Sequence, residues 1–235
     1  SHKNTATLFT RPRRFGKTLA QSMLKTFFEK EILPDGTVAD NSVYFKGKKI
    51  MEAGEEYTKH MGQYPVIFLS LKSAKQPTYE MAYKSLINGI QKEYIRHCYV
   101  LEGEPLLPVQ KKCYNSIMEN TAEPSLYVTA IQFLSECLEK YHNQKTIILL
   151  DEYDVPLENA YFNGFYDKMV SFIHSLFESA LKTNDSLKFA VITGCLRISR
   201  ESIFTGLNNL KVVSVLDKSY AEYFGFTQDE VDNLL

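Results

Sequence analysis

The stretch Arg11-Pro-Arg-Arg-Phe-Gly16-Lys17-Thr18-Leu19 sets a glycine, a lysine and a hydroxyl side by side, directly after a short apolar run. A phosphate-binding loop uses this order: the glycine lets backbone approach the anion, the lysine carries charge to the β- and γ-phosphates, and the hydroxyl ligates Mg²⁺. A helix beginning there adds unpaired N–H groups and the positive end of its dipole. The usual spacing is G-x-x-x-x-G-K-[ST], and Arg11 stands where the first glycine would be. A loop entrance of different shape is therefore expected, with Pro12 fixing one φ. Arg11, Pro12, Arg13, Arg14, Phe15, Gly16, Lys17, Thr18 and Leu19 are the candidate nucleotide contacts.

A second stretch, Lys145-Thr-Ile-Ile-Leu-Leu-Asp151-Glu152-Tyr-Asp154, runs four aliphatics into carboxylates. Downstream of a phosphate loop this is the Walker B arrangement. Asp151 would orient Mg²⁺, and Glu152 would polarise the attacking water. Asp154 reads either as support behind the metal site or, in preference, as an exposed turn residue. In Lys188-Phe-Ala-Val-Ile-Thr193-Gly194 the polar end follows the apolar run, and Thr193 takes the position from which a γ-phosphate is sensed. Arg197 and Arg200 follow; a guanidinium there either reaches a phosphate, in its own or a neighbouring subunit, or is plain surface. The candidate catalytic set is thus Lys17, Glu152, Thr193 and Arg197, with Thr18 and Asp151 as metal ligands.

Positioning these groups requires strands that end at them. Apolar runs at 6–10, 65–71, 146–150, 188–194 and 212–216 read as five strands. The first helix carries Leu19, Met23, Leu24, Phe27 and Phe28 as its apolar stripe and ends at Leu33-Pro-Asp-Gly36. Residues 37–64 lack a sustained period and are expected to hold short helical pieces at 43–50 and 51–60. Further helices are predicted over 79–100, 109–120, from Pro124 onward, and over 162–182. This succession specifies an α/β fold: a P-loop NTPase with a mostly parallel, roughly five-stranded sheet covered by helices on both faces. Such sheets bind ligands beyond the carboxyl ends of their strands, where the three segments converge. The core is expected to span 1–226, with 37–64 an irregular insertion. Thr227 and Glu230 form a capping box, so 227–235 should open a C-terminal helical region that runs past Leu235. Ser1-His2 reads as an appended remnant.

The 235 residues carry 27 basic and 28 acidic side chains, net −1, and are 44% hydrophobic. That balance does not support a broad nucleic-acid surface. No apolar run approaches the roughly 20 residues needed to span a bilayer, and no secretory leader is evident, so a cytoplasmic protein without membrane contact is expected. Cys98, Cys113, Cys137 and Cys195 show no metal-ligand spacing and read as free thiols, with Cys137 in a helical core stripe beside Leu134, Leu138 and Tyr141. No N-K-x-D segment is present to read guanine. Phosphoryl transfer to a small hydroxyl fits less well, because Glu152 suits water activation and no arginine-rich lid is seen.

With these motifs assembled, the chain resembles the predicted AAA-ATPase-like family, related to AAA+ and signal-transduction ATPases. The likeness rests on Arg11-Pro-Arg-Arg-Phe-Gly-Lys-Thr18, Leu149-Leu-Asp-Glu-Tyr-Asp-Val-Pro156, Thr193-Gly-Cys-Leu-Arg-Ile-Ser199, Glu201-Ser-Ile-Phe-Thr-Gly-Leu-Asn-Asn-Leu210 and Phe224-Gly-Phe-Thr227. It implies an ATP-binding core with Mg²⁺, Arg11 being the family's own form of the loop. Family members often continue into a nuclease-like domain of the PD-(D/E)XK type, of which nothing is present here. The expected activity is Mg-dependent ATP binding and hydrolysis that drives or switches an attached effector. The alternative is an ATP-binding regulatory module with negligible turnover, in which Arg13 and Arg14 clamp the phosphates. Self-association is left open.

Overall fold

The computed structural model describes residues 5–102, 105–195, 203–217, 220, 224–225 and 232. Five strands form one all-parallel sheet: β1 (Ala6–Thr10), β2 (Val66–Ser70), β3 (Thr146–Asp151), β4 (Leu187–Gly194) and β5 (Leu210–Val213), in the order β2-β3-β4-β1-β5. Among the described residues eight α-helices accompany them: α1 (Lys17–Phe28), α2 (Glu55–Thr58), α3 (Tyr79–Arg96), α4 (Pro108–Met118), α5 (Pro124–Val128), α6 (Ala130–His142), α7 (Val155–Phe162) and α8 (Tyr166–Phe177). The expected α/β architecture is borne out.

Strand periodicity divides the apolar residues between two faces. Leu8, Ile67, Ile148, Leu150, Ala190 and Ile192 face the main core, packed by α3, α4, α6 and α8 through residues such as Tyr94, Leu134, Ile173 and Phe177. Phe9, Val66, Ile147, Leu149 and Val191 face the other way, toward Leu24 and Phe28 of α1. Cover is therefore unequal. Beside α1 lies a cavity of about 1390 Å³ whose walls include Phe9, Phe28, Phe189 and Val191. No helix among the described residues is long and apolar enough to cross a membrane.

Several element boundaries differ from expectation for identifiable reasons. Leu19 and Met23 are 66% and 55% exposed, so the face of α1 that meets the sheet is Lys17, Gln21, Leu24 and Phe28. The helix stops at Phe28, before the proline, because Glu29 turns extended and the Lys30 N–H bonds the Tyr64 carbonyl at 2.8 Å. The turn at 33–36 instead closes a small antiparallel bridge between Ile32 and Val38. The helix predicted over 162–182 is interrupted: the Phe165 N–H bonds the Ala160 carbonyl at 3.0 Å, α8 begins at Tyr166, and Glu178–Lys182 ends it as a π-helical turn. β5 begins two residues and ends three residues earlier than predicted, since Asp217 accepts the Ser214 N–H at 2.6 Å and ends the extended run. Residues 37–64 pack on the end of α1, with the Phe45 ring 5.3 Å from that of Phe27. The capping box at Thr227 and Glu230 lies outside the described residues.

The exposed edge of β2 is closed by side chains of α3 and the turn after it. Glu93 accepts the Phe68 N–H at 2.9 Å, and Arg96 and His97 reach the Val66 carbonyl at 2.6 and 3.1 Å. They substitute for a neighbouring strand. Because a carbonyl can only accept, His97 holds its proton on Nε2, so Nδ1 accepts from Tyr99, whose oxygen in turn accepts from Nε2 of His142 at 2.9 Å. This chain needs His97 neutral, because its Nδ1 must accept, whereas His142 donates from Nε2 in either protonation state. Burial, with the Lys30 charge, lowers the His142 pKa to about 4 from 6.5. The unfolded chain then binds protons more readily below pH 6.5, and stability erodes as the pH falls from there toward 4. Allowing for partial exposure, the loss is on the order of 1 kcal/mol. Urea midpoints at pH 7.5 and 4.5 should fall further apart in the wild type than in His142→Gln; equal acid sensitivity would refute the assignment.

Candidate functional site

The loop after β1 is built by two left-handed residues. Arg14 has φ 69° and Gly16 φ 72°, and Gly16, at the N-cap of α1, places no side chain over the helix start. No acidic residue occupies the first turn of α1, so its free N–H groups and dipole meet no built-in counter-charge. Any other residue at Gly16 would have to adopt a φ that L-residues avoid.

Lys17 is buried beneath this loop. Its Nζ donates to the carbonyls of Arg11 at 2.9 Å and Pro12 at 2.8 Å, with the Cys195 sulfur at 3.4 Å. Its charge is thus held inside the curve of the loop by weak neutral acceptors. Arg11 differs from expectation. Its guanidinium donates to the carbonyls of Thr10 at 3.0 Å and Val213 at 3.2 Å, lies 5.2 Å over the Phe224 ring, and is turned to the end of β5. It ties the loop entrance to the sheet, while the left-handed turn falls at Arg14, so position 11 does not need glycine. Pro12, Arg13, Arg14, Phe15, Thr18 and Leu19 are exposed around the loop. Arg13 pairs with Glu158 of α7 at 3.3 Å.

The parallel register sets Leu150 against Ile192, so Asp151 and Thr193 emerge next to one another from β3 and β4 on the α1 face. Both are buried. Thr18 donates to Oδ2 of Asp151 at 2.7 Å, Thr193 donates to Oδ1, and Gln21 Nε2 donates to Thr193 Oγ1 at 3.2 Å and to the Leu150 carbonyl at 2.9 Å. The two oxygens of the carboxylate are thereby each fixed by a hydroxyl. A hydroxyl and a carboxylate are hard oxygen donors of the kind Mg²⁺ takes, in ones and twos, alongside phosphate and water. The described residues hold no group of three or more His, Cys, Asp or Glu that could cage an ion.

Glu152 follows with φ 55°, a conformation costing a non-glycine residue on the order of 1 kcal/mol or more. The turn is held by Tyr153 N–H to the Thr193 carbonyl at 3.1 Å and Val155 N–H to the Glu152 carbonyl at 3.2 Å. Between two buried neighbours, Asp151 and Tyr153, the Glu152 side chain alone is partly open. Asp154 corrects the expectation of an exposed turn: it is 2% exposed, and Oδ2 accepts the Cys195 N–H at 2.8 Å. Gly194 makes this possible, since a Cβ there would sit 2.5 Å from the Tyr153 ring and 2.9 Å from Asp154 Oδ1. Gly194→Ala should destabilise the protein by about 1–3 kcal/mol through overpacking, a fall of several degrees in thermal melting. An unchanged melting temperature would refute this packing.

Lys17, Thr18, Asp151, Glu152 and Thr193 thus meet at the carboxyl ends of β1, β3 and β4. Arg197 and Arg200 lie outside the described residues. Sequence reasoning missed Gln21, Glu158 and the inward turn of Asp154; the available signal for Gln21 was its place one helical turn after Lys17. The cysteines Cys98, Cys113, Cys137 and Cys195 are free, and Cys137 is buried, its thiol pushed up to about 12 by desolvation.

Comparison with known proteins gives a family model, AAA-ATPase-like, described as a predicted AAA-ATPase, matching residues 1–204. The chain is 26% identical over 240 residues, 98% of its own length, to an uncharacterized protein in the vnfD 5′ region of Azotobacter chroococcum mcd 1, and spans 38% of that relative's length. No solved structure matches.

Proposed function

This chain belongs to the AAA-ATPase-like family of predicted AAA-ATPases, and from that premise we propose that it binds ATP with Mg²⁺ and hydrolyses it to drive or switch an attached effector. The observation that supports this most is the pairing of Thr18 with Asp151 at 2.7 Å beneath a loop that encloses Lys17. Two distant segments, the start of α1 and the end of β3, supply the metal donors, and α1 also supplies the charge.

In this reading the phosphates enter the loop and Lys17 exchanges the carbonyls of Arg11 and Pro12 for β- and γ-phosphate oxygens, gaining charge-assisted bonds in place of neutral ones. The N–H groups opening α1 take the same anion. Thr18 and Asp151 would hold Mg²⁺, which when bound neutralises charge on the phosphate oxygens. Glu152 accepts a proton from the water that attacks the γ-phosphate, releasing ADP and phosphate. Thr193 reports on the γ-phosphate through Asp151, to which its hydroxyl donates. Arg197 adds a guanidinium to the phosphates, within one subunit or across two. The ATPase core is 1–226, and its effector is a further domain or a second protein; a nuclease-like domain is one such effector.

The test is ATP titration of the purified protein with Mg²⁺ and with EDTA, alongside phosphate release at several protein concentrations. Tighter ATP binding with Mg²⁺, together with turnover, is the expected result. No binding under either condition would overturn the reading. Binding without turnover would favour a nucleotide-dependent regulatory module.

A further inference from the structure

Gln21 is a polar side chain with no exposure at all, placed on the sheet-facing side of α1 between the loop and the apolar residues Leu24 and Phe28. A glutamine is not needed there for packing, and burying an amide costs free energy unless its hydrogen bonds are made. Its amide orientation is fixed by its surroundings. The Leu150 carbonyl, 2.9 Å away, can only accept, so the facing atom must be Nε2. The second N–H of that group therefore goes to Thr193 Oγ1 at 3.2 Å. Oε1 has no hydrogen-bond partner among the described residues.

This orientation carries a consequence for the hydroxyl it meets. With a lone pair of Thr193 engaged by Gln21, its single proton is directed to Oδ1 of Asp151, as that of Thr18 is directed to Oδ2. The bonds thus run one way, from the amide through the hydroxyl to the carboxylate. Without the amide, the Thr193 hydroxyl is free to rotate and Asp151 loses one of its two fixed donors.

We propose that Gln21 is a positioning residue for the nucleotide reaction: it orients Thr193, and through it the carboxylate plane of Asp151, so that the metal-binding oxygen keeps its direction. The inference rests on the proposed ATPase reading. It assigns to α1 a second function beyond presenting Lys17 and Thr18. Because Gln21 is fully buried and donates to the Leu150 carbonyl and to Thr193, its loss should leave Mg-free ATP affinity intact and impair only what depends on Asp151.

The experiment compares wild type, Gln21→Leu and Gln21→Glu for ATP affinity in EDTA, for the Mg²⁺ concentration giving half-maximal phosphate release, and for kcat and KM. In Gln21→Leu, kcat should fall about tenfold and half-saturation by Mg²⁺ should rise severalfold, with Mg-free affinity and KM within twofold of wild type. Gln21→Glu can donate only when protonated, so its activity relative to wild type should recover as the pH is lowered, a response that loss of packing would not produce. A folded Gln21→Leu protein with wild-type kcat and Mg²⁺ dependence overturns the inference alone. Equal losses in EDTA and Mg²⁺ also overturn it, showing a merely structural role. If wild type binds no ATP, the ATPase reading falls and takes this inference with it.

Discussion

Lys17→Ala should weaken ATP binding by on the order of a hundredfold, about 3 kcal/mol, the scale expected when one partner of a desolvated charge contact is removed. Lys17 is 6% exposed and its ammonium sits inside the loop, so no solvent-borne cation takes its place. The wild-type lysine already spends its donors on the Arg11 and Pro12 carbonyls, and part of the measured loss will come from a loop that no longer curls around it. Lys17→Arg separates the two contributions, restoring the charge on a longer, planar group that does not fit the same pair of carbonyls. Calorimetric titration with ATP in EDTA reads the phosphate contact without the metal. Undiminished affinity in Lys17→Ala would remove the loop from the account.

Glu152→Gln should abolish most turnover while leaving ATP bound. A positioned general base contributes roughly 10²- to 10⁴-fold, and the amide keeps the size and shape of the carboxylate without its basicity. Its left-handed backbone, φ 55°, is equally unfavourable for glutamine, so the substitution should leave thermal stability close to wild type. Glu152→Gly is the informative companion: relief of the strained φ should raise stability by on the order of 1 kcal/mol while activity is lost as fully. Single-turnover phosphate release from pre-bound Mg-ATP is the measurement. A Glu152→Gln protein that turns over at the wild-type rate would show that another group prepares the water.

Much of this was legible because the relevant signals are local. The aliphatic runs ending at Asp151 and Thr193, and Gly16-Lys17-Thr18 at a helix start, each carry their structural context within ten residues. The five strands follow from buried runs, and their meeting point follows from parallel topology. What was not legible depends on partners far along the chain. Leu19 and Met23 fit a helical stripe, yet the strand ends they would face are the polar Asp151 and Thr193, so Gln21 takes the inner position and they lie exposed. Arg11 reads as a phosphate contact until the Val213 carbonyl and the Phe224 ring are seen to claim it. Asp154 reads as turn surface because nothing near it in sequence predicts that the Cys195 N–H will be its donor.

The strand order also bears on how the chain is made. Of the five described strands β1 is the first to be made, yet among the described residues it pairs with β4 and β5, both of which lie beyond residue 186. This apolar segment must therefore wait for its strand partners until residues 187–194 are made, while β2 and β3 can pair once residue 151 has emerged. Closure of the sheet is a long-range, intrinsically slow event. The loop holding Lys17 is attached to β1, so the proposed nucleotide site cannot form until β4 has been made and β1 has docked between β4 and β5.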